Sequence, residues 1–424
     1  MAKEYKDSGI PWIGEIPKDW RTDRAKTIFV QSTTKGNERL VLQSATQDRG
    51  VVDKDTLEGV VQVAADADLR TFKTVHIDDF VISLRSFQGG FEICHNEGVI
   101  SPAYTVFRLR KKSYTGYYRL LFKSYGFIDK INSLTVGIRE GKNIQYRDFA
   151  DMEIPIPSDV EQQRIAEFLD RKCGEIDEAI ALQEEFIEEL KAYKQSVITE
   201  AVTRGLNPNV KFKDSGIDWI GKIPQGWDIR RIKTIGSAKN GITYSPSNIS
   251  SEEDGILVLR SSNIQNGKLC FEDNVFVSIK IPIELMVHKG DLIICSRNGS
   301  AALVGKCAMV EDDDLVATYG AFMMRFQTRY SKRYIYYLLT SAITQYKPLF
   351  TTTTINQLTA GVFGSLAVPL PSSQTEQQQI ADYLDNKCTE IDSLIAIKQQ
   401  KIEELKDYKK SIIYEYVTGK KEVK

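Results

Sequence analysis

The segment EQQRIAEFLDRKCGEIDEAIALQEEFIEELKAYKQSVITEAVTRG, Glu161 to Gly205, returns as EQQQIADYLDNKCTEIDSLIAIKQQKIEELKDYKKSIIYEYVTGK, Glu376 to Lys420. In the first copy apolar side chains recur at Ile165, Leu169, Cys173, Ile176, Ile180, Ile187, Leu190, Val197 and Ala201. In the second they recur at Ile380, Leu384, Cys388, Ile391, Ile395, Ile402, Leu405, Ile412 and Tyr416. Steps of four and three sustained this long keep one stripe facing a partner helix, so both copies predict a coiled-coil helix. Roughly 40 residues at about 1.5 Å each make a rod of about 60 Å. Ser158 and Thr375 stand where N-caps belong, each ahead of an acidic first turn. Polar residues interrupt the seam at matching places, Gln183 with Lys398 and Lys194 with Lys409. Such residues can fix register, although a frayed seam or snorkelling lysines are plainer readings. Two such helices separated by a globular block are expected to pair with each other, antiparallel.

A second phrase is also written twice. KDSGIPWIGEIPKDW runs from Lys6 to Trp20 and KDSGIDWIGKIPQGW from Lys213 to Trp227. The four tryptophans of the chain, Trp12, Trp20, Trp219 and Trp227, all lie in these phrases. The order is therefore phrase, block, helix, phrase, block, helix, and units this long are duplicated domains rather than solenoid repeats.

Within the blocks, DFVISLR (Asp79–Arg85), YTVFRLR (Tyr104–Arg110), ILVLRSS (Ile256–Ser262), DLIICSR (Asp291–Arg297) and AFMMRFQ (Ala321–Gln327) predict strands. Arg119–Ile131 and Lys332–Tyr346 predict helices. Both blocks close on a strand with two prolines, MEIPIPS and LAVPLPS, which suits an edge strand. The fold class expected is α+β: two mixed α/β domains separated by two long helices in an antiparallel coiled coil, with a pseudo-twofold internal duplication. The boundaries expected are 1–157 for the first domain with its phrase and 158–205 for the first helix. The joint and second domain take 206–371, and the second helix and tail take 372–424.

Composition excludes several classes. The chain has 424 residues, 42% hydrophobic and 27% charged, which favours neither disorder nor a membrane protein. No run of apolar residues is long enough to span a bilayer, and MAKEYKDSG lacks a signal-peptide core, so a cytoplasmic protein is expected. Six scattered cysteines without a CxxC pair read as reduced structural thiols. The net charge of −1 argues for no nucleic-acid partner by itself, and the mildly basic stretches 20–157 and 227–371 are weak evidence for one.

Catalytic motifs are missing. There is no [ND]-P-P-[YF] run for amino-methylation. SAALVGKC (Ser300–Cys307) lacks the leading Gly and the final Ser/Thr of a phosphate-binding loop. His76, His95 and His288 form no evident triad with a Ser or Cys, and EDDD (Glu311–Asp314) has no calcium-ligand spacing. No catalytic residue and no metal ligand is assigned; the chain reads as a binding and assembly protein.

The pattern SGIxWIGxIPxxW, a variable block ending in xPxPxxxEQQxIAxxLD, and a long helix ending in VTxG resembles the specificity subunits of type I restriction-modification systems. The joint VTRGLNPNVKFKDSGIDWIG (Val202–Gly221) is typical of them. The resemblance covers the whole chain, twice. It implies that the blocks are target recognition domains, each reading half of a split double-stranded DNA sequence. It implies that the coiled coil sets the half-site spacing. The repeats would dock two methyltransferase subunits, with restriction/translocase subunits joining them. S-adenosylmethionine, ATP and Mg would belong to those partners, with no cofactor on this chain. A rigid rod suits a bipartite target, and one added heptad, about 10 Å, should shift the half-sites by about three base pairs. Divergent blocks imply an asymmetric target. A self-contained DNA-modifying enzyme and a coiled-coil scaffold with no DNA role are the competing readings.

Base readers are typically Arg, Lys, Asn, Gln, Ser and Thr on loops that leave the core. In block 1 the candidates are Gln43, Arg85, Ser86, Gln88, Lys142, Asn143, Gln145 and Arg147. In block 2 they are Arg260, Ser261, Ser262, Asn263, Arg297, Asn298, Thr352, Thr353, Asn356 and Gln357. The tryptophan phrases are expected to touch protein, with Trp12 and Trp20 packed against the C-terminal end of the second helix.

Overall fold

The computed structural model describes residues 4–36, 39–47, 49–57, 68–83, 90–111, 114–134, 144–350 and 356–423. The chain forms two compact units, Met1–Glu184 with Gln399–Lys424, and Glu185–Lys398. The division falls inside the long helices rather than at their ends, because each helix packs its two halves in different units.

In the first unit, β1 (Phe29–Ser32), β2 (Phe80–Ile82), β3 (Phe91–Ile93) and β4 (Thr105–Leu109) form a four-stranded sheet in the order β1-β4-β2-β3. All its neighbours are antiparallel. Its inner face is aromatic: Phe29 lies 5.8 Å from Phe80, Phe80 lies 5.4 Å from Phe107, and Phe91 lies 5.1 Å from Phe122 between ring centroids. Edge-to-face and offset pairs of this kind add about 0.5–1.5 kcal/mol each beyond the area they bury. Phe122 is on α1 (Thr115–Lys123), and α2 (Tyr125–Leu134) follows at once. The single helix expected over 119–131 is thus broken at Ser124. Its hydroxyl and amide both bond to Leu121 O, and its extended backbone starts a new helix direction.

The second unit repeats the plan. β5 (Gly236–Asn240), β6 (Leu292–Cys295), β7 (Cys307–Met309) and β8 (Met323–Thr328) take the equivalent order β5-β8-β6-β7, again antiparallel throughout. Here α3, the long helix Asp159–Arg204, supplies Ile198, Ala201 and Val202 to a core with Leu292, Ile294, Met324 and Phe326. The helix α4 (Lys332–Tyr346) is unbroken and buries Ile335, Leu338 and Leu339 in the same core. The proline-rich strands lie in two-stranded ladders, Glu153–Ile156 with Arg21–Arg24 and Ala367–Pro371 with Trp227–Arg231. Both partners there are edge strands, where a missing amide costs no ladder bond.

The second long helix is α5 (Gln374–Val417). In each unit the start of one long helix packs on the end of the other. In the first, Phe168 lies 4.6 Å from Tyr416, and Ile165, Leu169 and Ile176 share a core with Ile412 and Val417. In the second, Ile198 and Val202 pack with Ile380 and Leu384. The helices are therefore antiparallel. Every position of the predicted seam is buried or half-buried, including Ile180, Ile187, Leu190, Ile391, Ile395, Ile402 and Leu405. The seam lysines face carboxylates across the helix pair: Lys194 Nζ is 2.7 Å from Asp392 and Lys409 Nζ 2.6 Å from Asp177. Ser158 caps the first helix, accepting the Glu161 amide at 3.3 Å. The second cap is Ser373, which accepts the Glu376 amide at 3.3 Å, and not Thr375, which lies inside the first turn.

Each tryptophan phrase is a hairpin, Tyr5–Asp7 with Glu15–Pro17 and Phe212–Asp214 with Lys222–Pro224. The turn needs a left-handed glycine, Gly9 (φ 72) or Gly216 (φ 73), whose amide bonds to the preceding aspartate. Trp20 and Trp227 are almost fully enclosed. In the first unit Tyr414 Oη donates to Trp12 O at 2.7 Å, and Val417 shares a core with Trp20. The N-terminal phrase thus packs on the C-terminal end of α5.

Candidate nucleic-acid interface

Three chain segments of the second unit meet beyond the ends of β6 and β8. The first follows the strand Ile256–Leu259 and carries Arg260, Ser261, Ser262 and Asn263. The second follows β6 and carries Arg297 and Asn298. The third carries Asn356 and Gln357. Asn298 Nδ2 donates to Ser261 Oγ at 3.1 Å, and Asn298 Oδ1 accepts the Ser300 amide at 3.0 Å. Asn356 Nδ2 donates to Gly299 O at 3.2 Å, and Arg297 forms an antiparallel bridge with Gln357. Eight sequence candidates are therefore brought onto one surface by the sheet. The three segments lie 34 to 97 residues apart in the chain, and the sheet brings them together.

Within that surface the side chains divide by availability. Asn263 is fully buried: its Oδ1 accepts the Arg260 amide at 2.9 Å and its Nδ2 donates to Cys270 O at 3.0 Å. It shapes its own loop and presents nothing outward. Arg260 forms an ion pair with Asp273 at 2.9 Å, so its charge is locally balanced. Ser262 Oγ and Asn356 Oδ1 are enclosed without a hydrogen-bond partner, which leaves two polar atoms with unused capacity beside the loops. Arg297 and Gln357 keep their side-chain polar groups free among the described residues. Thr352 and Thr353 lie outside the described residues.

Sequence reasoning missed Phe322. It lies on the turn between Tyr319 and β8, remains 59% exposed, and carries the Arg297 guanidinium over its ring at 5.3 Å. Its carbonyl accepts the amides of Ser296 and Arg297 at 2.9 and 3.1 Å. A search for polar readers passes over an aromatic, and the run AFMMRFQ gives no sign that its first ring faces outward. Asn240, at the end of β5, also reaches this turn, donating to Ala321 O at 3.3 Å.

The first unit presents fewer of its candidates. Gln43 is 3% exposed and donates to Asp53 Oδ1 across the hairpin Gln43–Thr46 with Gly50–Asp53. The amide is thereby occupied by the hairpin, although its Oε1 has no partner. Gln145 and Arg147 are exposed, the first as the N-cap residue of a short helix Tyr146–Ala150 and the second on its first turn. Arg85, Ser86, Gln88, Lys142 and Asn143 lie outside the described residues. The sheet below is held by Asp79, which accepts Arg108 Nη2 at 2.8 Å and the His76 amide at 2.9 Å. Burial raises the Asp79 carboxyl above its usual value, against the opposing pull of those two partners. In the second unit Asp291 takes the matching place, accepting the His288 amide at 2.9 Å and Gln327 Nε2 at 2.9 Å. No group of three or more metal-binding side chains occurs among the described residues.

Residues 224–407 match the family model described as the type I restriction modification DNA specificity domain. Over that stretch the chain is similar to a type I DNA specificity domain. That domain contains all ten block-2 candidates, Trp227 and most of α5. Relatives point the same way. The chain is 26% identical to the type I restriction enzyme MjaVIII specificity subunit of Methanocaldococcus jannaschii, over 66% of this chain and 65% of that protein. It is 29% identical to the StySPI specificity subunit of Salmonella potsdam, over 47% of this chain and 44% of that one. The match thus takes in less than two thirds of these two relatives. A putative MjaX specificity subunit from the same archaeon is 23% identical over 97% of this chain and 96% of its own. Among solved structures, a chain from a type I R-M system described for its assembly and conformational transition aligns with a TM-score of 0.71 at 16% identity, over 95% of this chain and 98% of that one. The HsdS subunit from Thermoanaerobacter tengcongensis aligns with a TM-score of 0.50, also at 16% identity, with the same coverages. At that identity the likeness concerns the fold. The specificity domain and the first unit share one sheet order, and no helix among the described residues is long and apolar enough to cross a membrane.

Proposed function

We propose that the chain is the DNA sequence-specificity subunit of a type I restriction-modification complex. Each unit reads one half of a bipartite, asymmetric target in double-stranded DNA. The observation that carries this is a repeated frame with unlike loops. The two sheets share one strand order, while the loops beyond them differ in length and side chains. A bipartite reader requires that combination: one scaffold, two sets of contacts. The domains follow this reading as 1–157 and 206–371, with the long helices of 158–205 and 372–424 setting the half-site spacing. Two methyltransferase subunits dock on the repeated regions, and restriction/translocase subunits join them. S-adenosylmethionine, ATP and Mg belong to those partners. The chain itself performs no catalysis and works in the cytoplasm.

The test is to sequence methylated bases in a host that carries this gene with its methyltransferase partner. The expected result is a split motif with two different halves and a fixed gap. Methylation or cleavage by the purified chain alone would overturn the reading in favour of a self-contained enzyme. A host methylome without any split motif would overturn it outright.

A further inference from the structure

Among the described residues nothing occupies the Arg297 guanidinium, which faces outward from the loops. Among the described residues no carboxylate pairs with it, and its donors are unoccupied. Three other arginines of the unit are tied, Arg260 to Asp273, Arg333 to Asp385 and Glu311, and Arg325 to Met286 O and Glu284 O in the interior, while Arg329 lies over the Tyr330 ring at 5.8 Å. Arg297 instead lies over the exposed ring of Phe322, 5.3 Å from its centroid.

The backbone beneath it is fixed. The Arg297 amide bonds to Phe322 O at 3.1 Å, and the next residue is clamped on both sides by Ser261 and Ser300. Leu358 N donates to Ser296 O at 2.8 Å, tying in the third segment. A guanidinium resting over an aromatic ring is biased in position by the cation–π attraction and keeps its donors open. A planar fork suits the paired O6 and N7 acceptors of guanine in the major groove; the same fork can grip a phosphate, which carries no sequence preference, so the salt slope separates the two.

We infer that Arg297, oriented by Phe322, reads a guanine in the half-site of the second unit. The inference rests on the proposed function and adds to it a residue, a base and a positioning aromatic. Gln357, paired with Arg297 across the backbone bridge, presents a second amide beside it.

The test uses the full chain with its methyltransferase partner, as wild type and as Arg297→Ala, Arg297→Lys and Phe322→Ala. Methylated bases are sequenced in the host, and binding to duplexes carrying each base at each position is measured against salt. Arg297→Ala is expected to relax one G·C position in one half of the motif by about tenfold to a hundredfold and to leave the other half unchanged. Phe322→Ala should weaken discrimination at that same position by a smaller factor with an unchanged salt slope. Arg297→Lys should lose more discrimination than affinity. A uniform loss on all sequences, with a salt slope shallower by about one, would mean a phosphate contact and would overturn the assignment. An unaltered motif in a variant with unchanged melting temperature would also overturn it. Absence of a split motif with the wild-type chain would instead overturn the function on which the inference rests.

Discussion

The indole Nε1 of Trp20 donates to Glu161 Oε2 at 2.8 Å, joining the end of the N-terminal phrase to the first turn of a helix 141 residues away. Trp227 and Glu376 repeat the bond at 3.1 Å in the second unit. Carboxylates in the first turn are already favoured by the helix N-terminus, so the indole meets an acceptor that is held in place. Glu161→Ala leaves an enclosed N–H without this acceptor and is expected to cost about 1–3 kcal/mol. Trp20→Ala should cost about 3–5 kcal/mol by emptying the site. Thermal or denaturant unfolding of the two variants checks the numbers, and the methylated motif should be unchanged in both. A shifted motif would mean that the phrase touches DNA.

The helix pair separates packing from charge. Leu384 is fully buried in the core of the second unit, and Leu384→Ala should cost about 2–5 kcal/mol. Lys194 and Asp392 are partly exposed, so Lys194→Ala should cost less than about 1 kcal/mol. If the pair fixes register, exchanging the charges as Lys194→Asp with Asp392→Lys keeps the melting temperature while either change alone lowers it. Equal loss in the single and double variants would remove any pairing role.

Asn263 gives a prediction about the reading surface. Its amide holds the loop that carries Ser261, and Ser261 in turn holds Asn298. Asn263→Ala is expected to lower stability by about 1–3 kcal/mol. It should also blur the half-site read by the second unit while leaving the other half sharp. Methylome sequencing distinguishes this from a general loss, which would blur both halves.

Asp79 makes stability depend on pH in a stated direction. Its folded carboxyl titrates above the ordinary value, chiefly because it is buried. Just above the unfolded value, the folded protein therefore keeps a proton that the unfolded chain has released. This contribution is fully present below the unfolded pKa and is lost as pH rises through the folded one. In Asp79→Asn that slope should vanish. Melting temperatures of the two proteins between about pH 4 and 6 measure it, and parallel curves would refute the assignment.

Local periodicity made part of this fold legible. The long helices could be read because their seam repeats for over ten turns; the tryptophan phrases could be read as a repeat, but their hairpins came only from the structure. The break at Ser124 could not, since the apolar spacing continues across it; the hydroxyl and amide bonds of Ser124 to Leu121 O, with its extended backbone, end the first helix. At the candidate site, residue type alone gave Arg260 and Arg297 equal standing. Asp273 neutralises the first and Phe322 orients the second, and both facts depend on strand pairing between distant segments. The sequence cap Thr375 missed by two residues because Ser373 and Thr375 both have the chemistry, and only the helix start selects between them.

The two units differ in how the chain assembles them, and this bears on synthesis. The second is one continuous stretch, Glu185–Lys398, and can close as soon as it leaves the ribosome. The first needs Ile412, Ile413 and Val417, made more than 220 residues after Glu184, to cover Trp20 and Ile165. At about 5–20 residues per second, the earlier-made half therefore waits on the order of tens of seconds with part of its apolar surface open. During translation the unit begun first is the last to be sealed.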